Sequence, residues 1–249
     1  MPMEASRYPS SAWPHAILVT KERTDSTMDD ALELGRSGCA SGSVVVAAFQ
    51  EKGRGRVPGR TWLSPPGESL LATVVVRVSE LAFSPHEIPL RAGLAVARAV
   101  ESQAGIRVQI KWPNDIMAGG RKLCGLLCEA HGPIILIGLG INCTQRSFPA
   151  EIEHTACSLL QASGRTIPPR ELLPAVLDEI KSCLSSFDWL TPLRERLYHR
   201  EVSVHVDLIG AGRTVEGILR DVDESGRLLL QTSDGRIQAI AQGEIRIDP

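Results

Sequence analysis

Gly53-Arg54-Gly55-Arg56-Val57-Pro58-Gly59-Arg60-Thr61-Trp62 sets backbone freedom, permanent positive charge and an aromatic ring within ten residues. Glycine lets backbone N–H groups approach a ligand in conformations closed to other residues, and each arginine offers a planar fork matched to carboxylate and phosphate oxygens. The stretch reads as a loop that closes over an anion, with a mobile basic surface loop as the alternative. It is not a phosphate-binding P-loop, because no Gly-Lys-Ser/Thr follows and the residues after Trp62 do not begin a helix.

Outward from this loop, four segments place polar groups at the ends of apolar runs. Val108–Ile110 reads as a short strand ending in Lys111-Trp112-Pro113-Asn114-Asp115, a proline-fixed turn that displays an ammonium, an amide and a carboxylate together. Lys122-Leu123-Cys124-Gly125-Leu126-Leu127-Cys128-Glu129 reads as a buried strand in which Gly125 marks either a bulge or a place where a flat ligand lies against the backbone. Ile134–Ile137 runs into Gly138-Leu139-Gly140-Ile141-Asn142, where Asn142 offers a donor and an acceptor suited to a purine edge, or forms a turn. Upstream, Thr24-Asp25-Ser26-Thr27 presents hydroxyls for a urea-like or phosphate oxygen, and equally an N-cap for a helix starting near Met28.

Taken in order, these five segments resemble the biotin–protein ligase family, whose marks are a Ser-Thr turn, a Gly-Arg-Gly-Arg loop, Lys-Trp-Pro-Asn-Asp, Lys-Leu-x-Gly and Gly-x-Gly-x-Asn. The resemblance runs from Thr24 to Asn142, and more loosely through Thr155–Leu159 and the C-terminal segment. It implies an ATP-dependent, AMP-forming ligase. Biotin carboxylate attacks the α-phosphate of ATP to give biotinyl-5′-AMP and pyrophosphate, and a lysine of a biotin carboxyl carrier protein, of the acetyl-CoA or pyruvate carboxylase type, then takes the biotinyl group. By the same resemblance, Ser26, Thr27, Met28, Gln50, Arg54, Gly55, Arg56, Lys122, Gly125, Gly138 and Gly140 surround biotin. Arg56, Trp62, Lys111, Asn114 and Asn142 serve ATP or the adenylate. Arg54, Arg56, Lys111, Asp115 and Lys122 are the catalytic charges, with Asp115 either binding Mg²⁺ or accepting the carrier lysine's proton. Two departures stand out: Val57-Pro58 supplies two residues where the family usually has one, which leaves the role of Arg60 open, and Met28 replaces a polar residue.

Composition agrees with an enzyme of this kind. The 249 residues, 43% hydrophobic, suffice for a large domain and a small one. The expected division is 1–198 for the catalytic domain and 199–249 for an SH3-like β-barrel. A net charge of −2 gives no general attraction to nucleic acid, and 4% aromatic residues are few for a stacking surface. The nucleic-acid-binding alternative rests on the Arg/Gly loop alone, while lipoate–protein ligase is the alternative within the same fold. Ser26 lies too near Met1 for a preceding winged-helix domain, so no DNA partner is expected. No apolar run approaches membrane-spanning length, and Met1–Pro14 resembles no export signal. Six cysteines without a paired framework fit a reduced, cytoplasmic protein, and neither a zinc site nor a hydrolase triad is apparent. A homodimer remains open.

Periodicity predicts an α+β fold, with helices over Asp25–Leu34, Leu90–Val100 and Glu171–Leu184 packed on a mixed sheet. Strands are expected at Gly42–Phe49, Leu70–Val78, Val108–Ile110, Lys122–Glu129 and Ile134–Gly140. From Glu201 the pattern changes to alternating Val202, Val204, Val206 and Leu208. Short strands Thr214–Leu219, Leu228–Gln231, Arg236–Ala241 and Glu244–Ile247 follow, the pattern of a small barrel.

Overall fold

The computed structural model describes residues 4–6, 8, 10–57, 59–209 and 212–246. Pro58 and Ile247, both part of the sequence reading, lie outside the described residues. Eight strands form the main sheet: β1 (Glu4–Ser6), β2 (Leu18–Thr24), β3 (Val44–Gln50), β4 (Ser69–Arg77), β5 (Gln109–Lys111), β6 (Asp115–Ala118), β7 (Arg121–His131) and β8 (Ile134–Asn142). Their spatial order is β1-β2-β3-β4-β8-β7-β6-β5. Among the described strands only β2 and β3 pair in parallel, joined through the helix α1 (Thr27–Arg36), so the sheet is mixed.

Side-chain alternation separates two faces. On one, α1 lays Met28, Ala31 and Leu34 against Val19, Val45, Val75, Ile134 and Leu136 in a small apolar cluster. On the other, α2 (Ile88–Ala104) and α4 (Pro169–Ser185) cover Ile135, Ile137, Leu139 and Ile141. Helix α2 starts with proline in its first turn, stops at Gly105 in the left-handed region with φ 67°, and is Ala/Leu/Val-rich because it is buried almost all round. The short helices α3 (Leu159–Ser163) and α5 (Leu190–Arg194) complete this layer.

The expected helices and central strands are present with ends shifted by a few residues. Three strands, β1, β2 and β6, had no counterpart in the sequence reading, which placed Asp115 in a turn. The C-terminal strands β9 (Ser203–Leu208), β10 (Arg213–Val222), β11 (Leu228–Gln231), β12 (Ile237–Ile240) and β13 (Glu244–Arg246) form an antiparallel sheet ordered β12-β11-β10-β9-β13. Among the described residues this ladder is open, with β12 and β13 at opposite edges, so the barrel pattern is realised as a sheet without hydrogen-bonded closure.

The division at 198/199 falls in the turn before β9, yet the apolar core does not divide there. Val204, Val206, Leu219, Val222 and Leu228 belong to the same buried cluster as Leu90, Leu94 and Trp112. Trp112 is 2% exposed and donates its indole N–H to the Gly226 carbonyl at 3.0 Å, so its role is to join the two sheets.

Candidate active site

Topology brings the five motifs together because β3, β4, β8, β7 and β6 are consecutive neighbours. On the α1 face of the sheet, Gly125 pairs with Gly140 and Leu127 with Gly138, so three glycines leave a patch of backbone bare beyond the end of the helix. Protein groups lie directly on that patch. A Cβ at Gly140 would stand 2.6 Å from the Trp62 ring, one at Gly125 3.0 Å from it, and one at Gly138 2.7 Å from Met28 Sδ. The flat body against the glycines in this structure is the indole of Trp62. Lys122 Nζ stands 5.8 Å from the centre of that ring, within cation–π range.

Around the patch is a narrow cleft, open to solvent on one side, with a cavity of about 60 Å³ while Trp62 lies on the glycines. Ser26, Thr27, Met28, Gln50, Arg54, Gly55, Arg56, Trp62, Asn114, Lys122, Gly125, Gly138 and Gly140 all line it. Three expected residues do not: Lys111, Asp115 and Asn142.

The polar end of the cleft is pre-ordered. Ser26 caps α1, its hydroxyl accepting from Met28 N at 3.3 Å, so the capping reading and the cleft position hold for the same residue. Thr27 donates from its N–H and hydroxyl to Gln50 Oε1 at 2.7 and 2.9 Å, and accepts from the Thr73 hydroxyl at 2.8 Å. These bonds orient the Gln50 amide across the cleft.

The cations have protein partners of their own. Arg54 is exposed and forms a two-pronged pair with Asp29 at 2.9 Å on each side. Arg56 is half-buried and donates Nη2 to the Gly243 carbonyl at 2.7 Å, while Arg60 meets Glu244 at 2.5 Å. Lys122 Nζ lies 2.7 Å from Asp115 Oδ1, an ion pair too poorly aligned to satisfy that buried oxygen with a hydrogen bond. Two buried donors, Arg56 Nε and Trp62 Nε1, also have no hydrogen-bond partner among the described residues. Both belong to the loop that lines the cleft. A buried donor left unpaired is costly, so an acceptor held between loop and sheet would stabilise this arrangement.

Lys111 ends β5 directly opposite Asp115 on β6. Burial holds its pKa below the ordinary lysine value, with the Asp115 and Glu244 charges acting in the opposite sense. Asn114 fixes the intervening turn by donating to the Leu126 carbonyl at 2.7 Å.

Asn142 is the largest departure from the sequence reading. At 5% exposure it donates to the Cys157 carbonyl at 3.0 Å and accepts from Gln145 Nε2 at 3.2 Å, with Ser69 also in reach at 3.4 Å. It ends a strand rather than forming a turn, and an adenine edge would have to compete for a side chain already committed to the protein. Mg²⁺ fits poorly as well. Among the described residues no three His, Cys, Asp or Glu side chains gather as metal ligands, and Asp115 already faces Lys122. Magnesium is usually held by one or two carboxylates together with substrate phosphates, so these residues do not form a site for the ion by themselves. The cysteines are all free, and Cys124 and Cys128 share the α2 face of β7; Cys124 is buried, Cys128 only half so.

Known proteins share this fold. Residues 20–144 match the biotin/lipoate A/B protein ligase family and residues 204–247 the biotin protein ligase C-terminal domain. The biotin–[acetyl-CoA-carboxylase] ligase of Mycobacterium tuberculosis is 33% identical over 94% of this chain and 90% of its own length. The chain belongs to the biotin protein ligase family.

Among solved members of the family, the Aquifex aeolicus biotin protein ligase in complex with biotin and ATP superposes with a TM-score of 0.81 at 31% identity, covering 92% of this chain and 97% of that one. The Leishmania major biotin protein ligase in complex with biotinyl-5-AMP gives 0.59 at 25% identity, covering 90% and 98%. Against this ligase fold, sequence reasoning missed the Gly243-Glu244 contact with the loop arginines. Residues 187 positions apart leave no local signal of such a contact.

Proposed function

We propose that this protein joins biotin to ATP to form biotinyl-5′-AMP and pyrophosphate, and then passes the biotinyl group to a lysine of a biotin carboxyl carrier domain. The observation that carries this reading is the meeting of a bare glycine patch, a pre-ordered Thr27–Gln50 polar end and two unpartnered loop donors in one small cleft. The glycine patch accepts a flat apolar body close to the backbone, and the hydroxyls and amide suit the urea-like head of the vitamin. Arg56 Nε and Trp62 Nε1 suit the carboxylate or the acyl-phosphate oxygen that replaces it.

The first step requires two anions to meet, and the chain supplies cations for this rather than a nucleophile. Arg56 and Lys122 stand at the cleft. Lys111, beside Asp115, is assigned to the α-phosphate, and a low pKa from burial is consistent with a site that charge from phosphate would complete. Mg²⁺ enters as the MgATP substrate complex. In the second step Asp115, paired with Lys122 at the cleft, is assigned to accept the carrier lysine's proton; an ordinary lysine of pKa about 10.4 must lose it before attack. For adenine, the Trp62 face is better supported than the Asn142 amide.

Incubation with MgATP, radiolabelled biotin or lipoate, and a purified biotin carboxyl carrier domain tests the reading. Label on the carrier lysine from biotin alone is expected. Preferential transfer of lipoate would move the protein to the other branch of the family.

A further inference from the structure

The loop over the cleft is held from outside the main sheet. Arg56 Nη2 donates to the Gly243 carbonyl at 2.7 Å and Arg60 Nη1 lies 2.5 Å from Glu244 Oε1, both groups sitting where the chain enters β13. That entry point is itself wedged. A Cβ on Gly243 would stand 2.6 Å from Val206 Cγ1 and 3.5 Å from the Trp112 ring, so the backbone is pressed between β9 and the Lys-Trp-Pro-Asn-Asp turn. The result is a fixed carbonyl and a fixed carboxylate presented to two arginines of a glycine-rich loop. Arg56 then has one nitrogen held by the C-terminal sheet and another, Nε, buried without a partner. Arg60 is different: it is exposed, it does not line the cleft, and its described partner is Glu244.

We infer that Gly243 and Glu244 are positioning groups of the C-terminal sheet, which hold the loop through Arg56 and Arg60 and thereby aim the free Arg56 N–H at a ligand oxygen. The identity of that oxygen, biotin carboxylate or its adenylate, rests on the proposed function; the tether does not. The division of labour also gives Arg60 a role.

Hydrogen exchange of loop peptides in the full chain, without biotin, tests the tether. Glu244→Gln and Arg60→Gln are each expected to speed loop exchange about two- to fivefold, the range for a partly exposed ion pair. The double variant should add nothing, the charge swap Arg60→Glu with Glu244→Arg should restore protection, and the urea midpoint should stay in place. Unchanged loop exchange in both single variants, or effects that add in the double variant, overturn the inference. A second arm follows leakage of biotinyl-AMP, scored as biotin on lysines of an unrelated protein; Glu244→Gln should raise it while leaving the KM for the carrier unchanged. A blank in every biotinylation assay with the exchange pattern intact would refute the ligase reading and leave the tether standing, whereas normal ligation with unaltered loop exchange would do the reverse.

Discussion

Gly140→Ala places one methyl group where the three nearest atoms all belong to Trp62, at 2.6, 2.9 and 2.9 Å. Carbon atoms in contact stand roughly 3.5–4.0 Å apart, so the ring must retreat by about 1 Å. Strand β8 cannot yield, because Gly140 is paired to Leu71 on one side and Gly125 on the other. The loop can, and it moves as a unit, since Trp62 N donates to the Gly53 carbonyl and Gly55 N to the Arg60 carbonyl, each at 2.9 Å. Overpacking of this kind costs about 1–3 kcal/mol, and in this position the cost should appear as loss of the closed loop rather than loss of the fold. Biotin affinity by calorimetry should therefore fall roughly five- to 150-fold, while the urea midpoint changes little. The decisive measurement is a double-mutant cycle with Trp62→Ala. Once the indole is gone, the extra methyl should cost under about 0.5 kcal/mol of biotin affinity. An equal cost with and without Trp62 would show that the strain lies in the sheet or the ligand contact, and the argument from the bare glycine patch would fail.

Arg56→Gly should keep measurable adenylation but release biotinyl-AMP about ten- to a hundredfold faster, from loss of a charge-assisted hydrogen bond; labelling confined to the carrier would refute this. Burial holds the Lys111 pKa below the ordinary lysine value, so the alkaline limb of adenylation should begin earlier than an exposed lysine would give and move upward in Lys111→Arg, measured as pyrophosphate release. In the same window the unfolded chain binds more protons than the folded one, so Lys111 makes stability rise with pH; an identical limb in Lys111→Arg would detach it from the reaction. Removal of residues after Arg200 exposes Leu90, Leu94 and Trp112 from a shared cluster, so the fragment should bind a hydrophobic dye and lose its sharp urea transition. A cooperative transition in the fragment would mean that the main sheet folds alone.

The motifs were legible because each is local, and the loop after β3, the Lys-Leu-x-Gly run in β7 and the Gly-x-Gly-x-Asn run in β8 sit on central strands that apolar runs announce. Strand β2 was missed for the opposite reason: after Leu18 and Val19 it reads Thr-Lys-Glu-Arg-Thr, a polar stretch near the sheet edge with no apolar alternation. The placements of Asp115 and Asn142 needed the direction of each side chain, and residue type alone does not give it. Asn142 looked available beside two glycines, but Gly138 and Gly140 face α1 and the loop, while Asn142 turns toward the Cys157 carbonyl and Gln145 at the strand end. A division near residue 199 followed from a change in periodicity, which records how strands alternate but not which core they share.

Trp112 makes that shared core a matter for recombination. A crossover between related ligases placed at the turn before β9 would look neutral by secondary structure, yet it would separate an indole from the carbonyl of Gly226 and from the backbone of Gly243, where even an added Cβ would touch the ring. Chimeras in this family should thus succeed or fail according to whether the turn carrying Trp112 travels with the strands that seat it. The functional joint of the molecule lies at that indole, some ninety residues before the point where the sequence changes character.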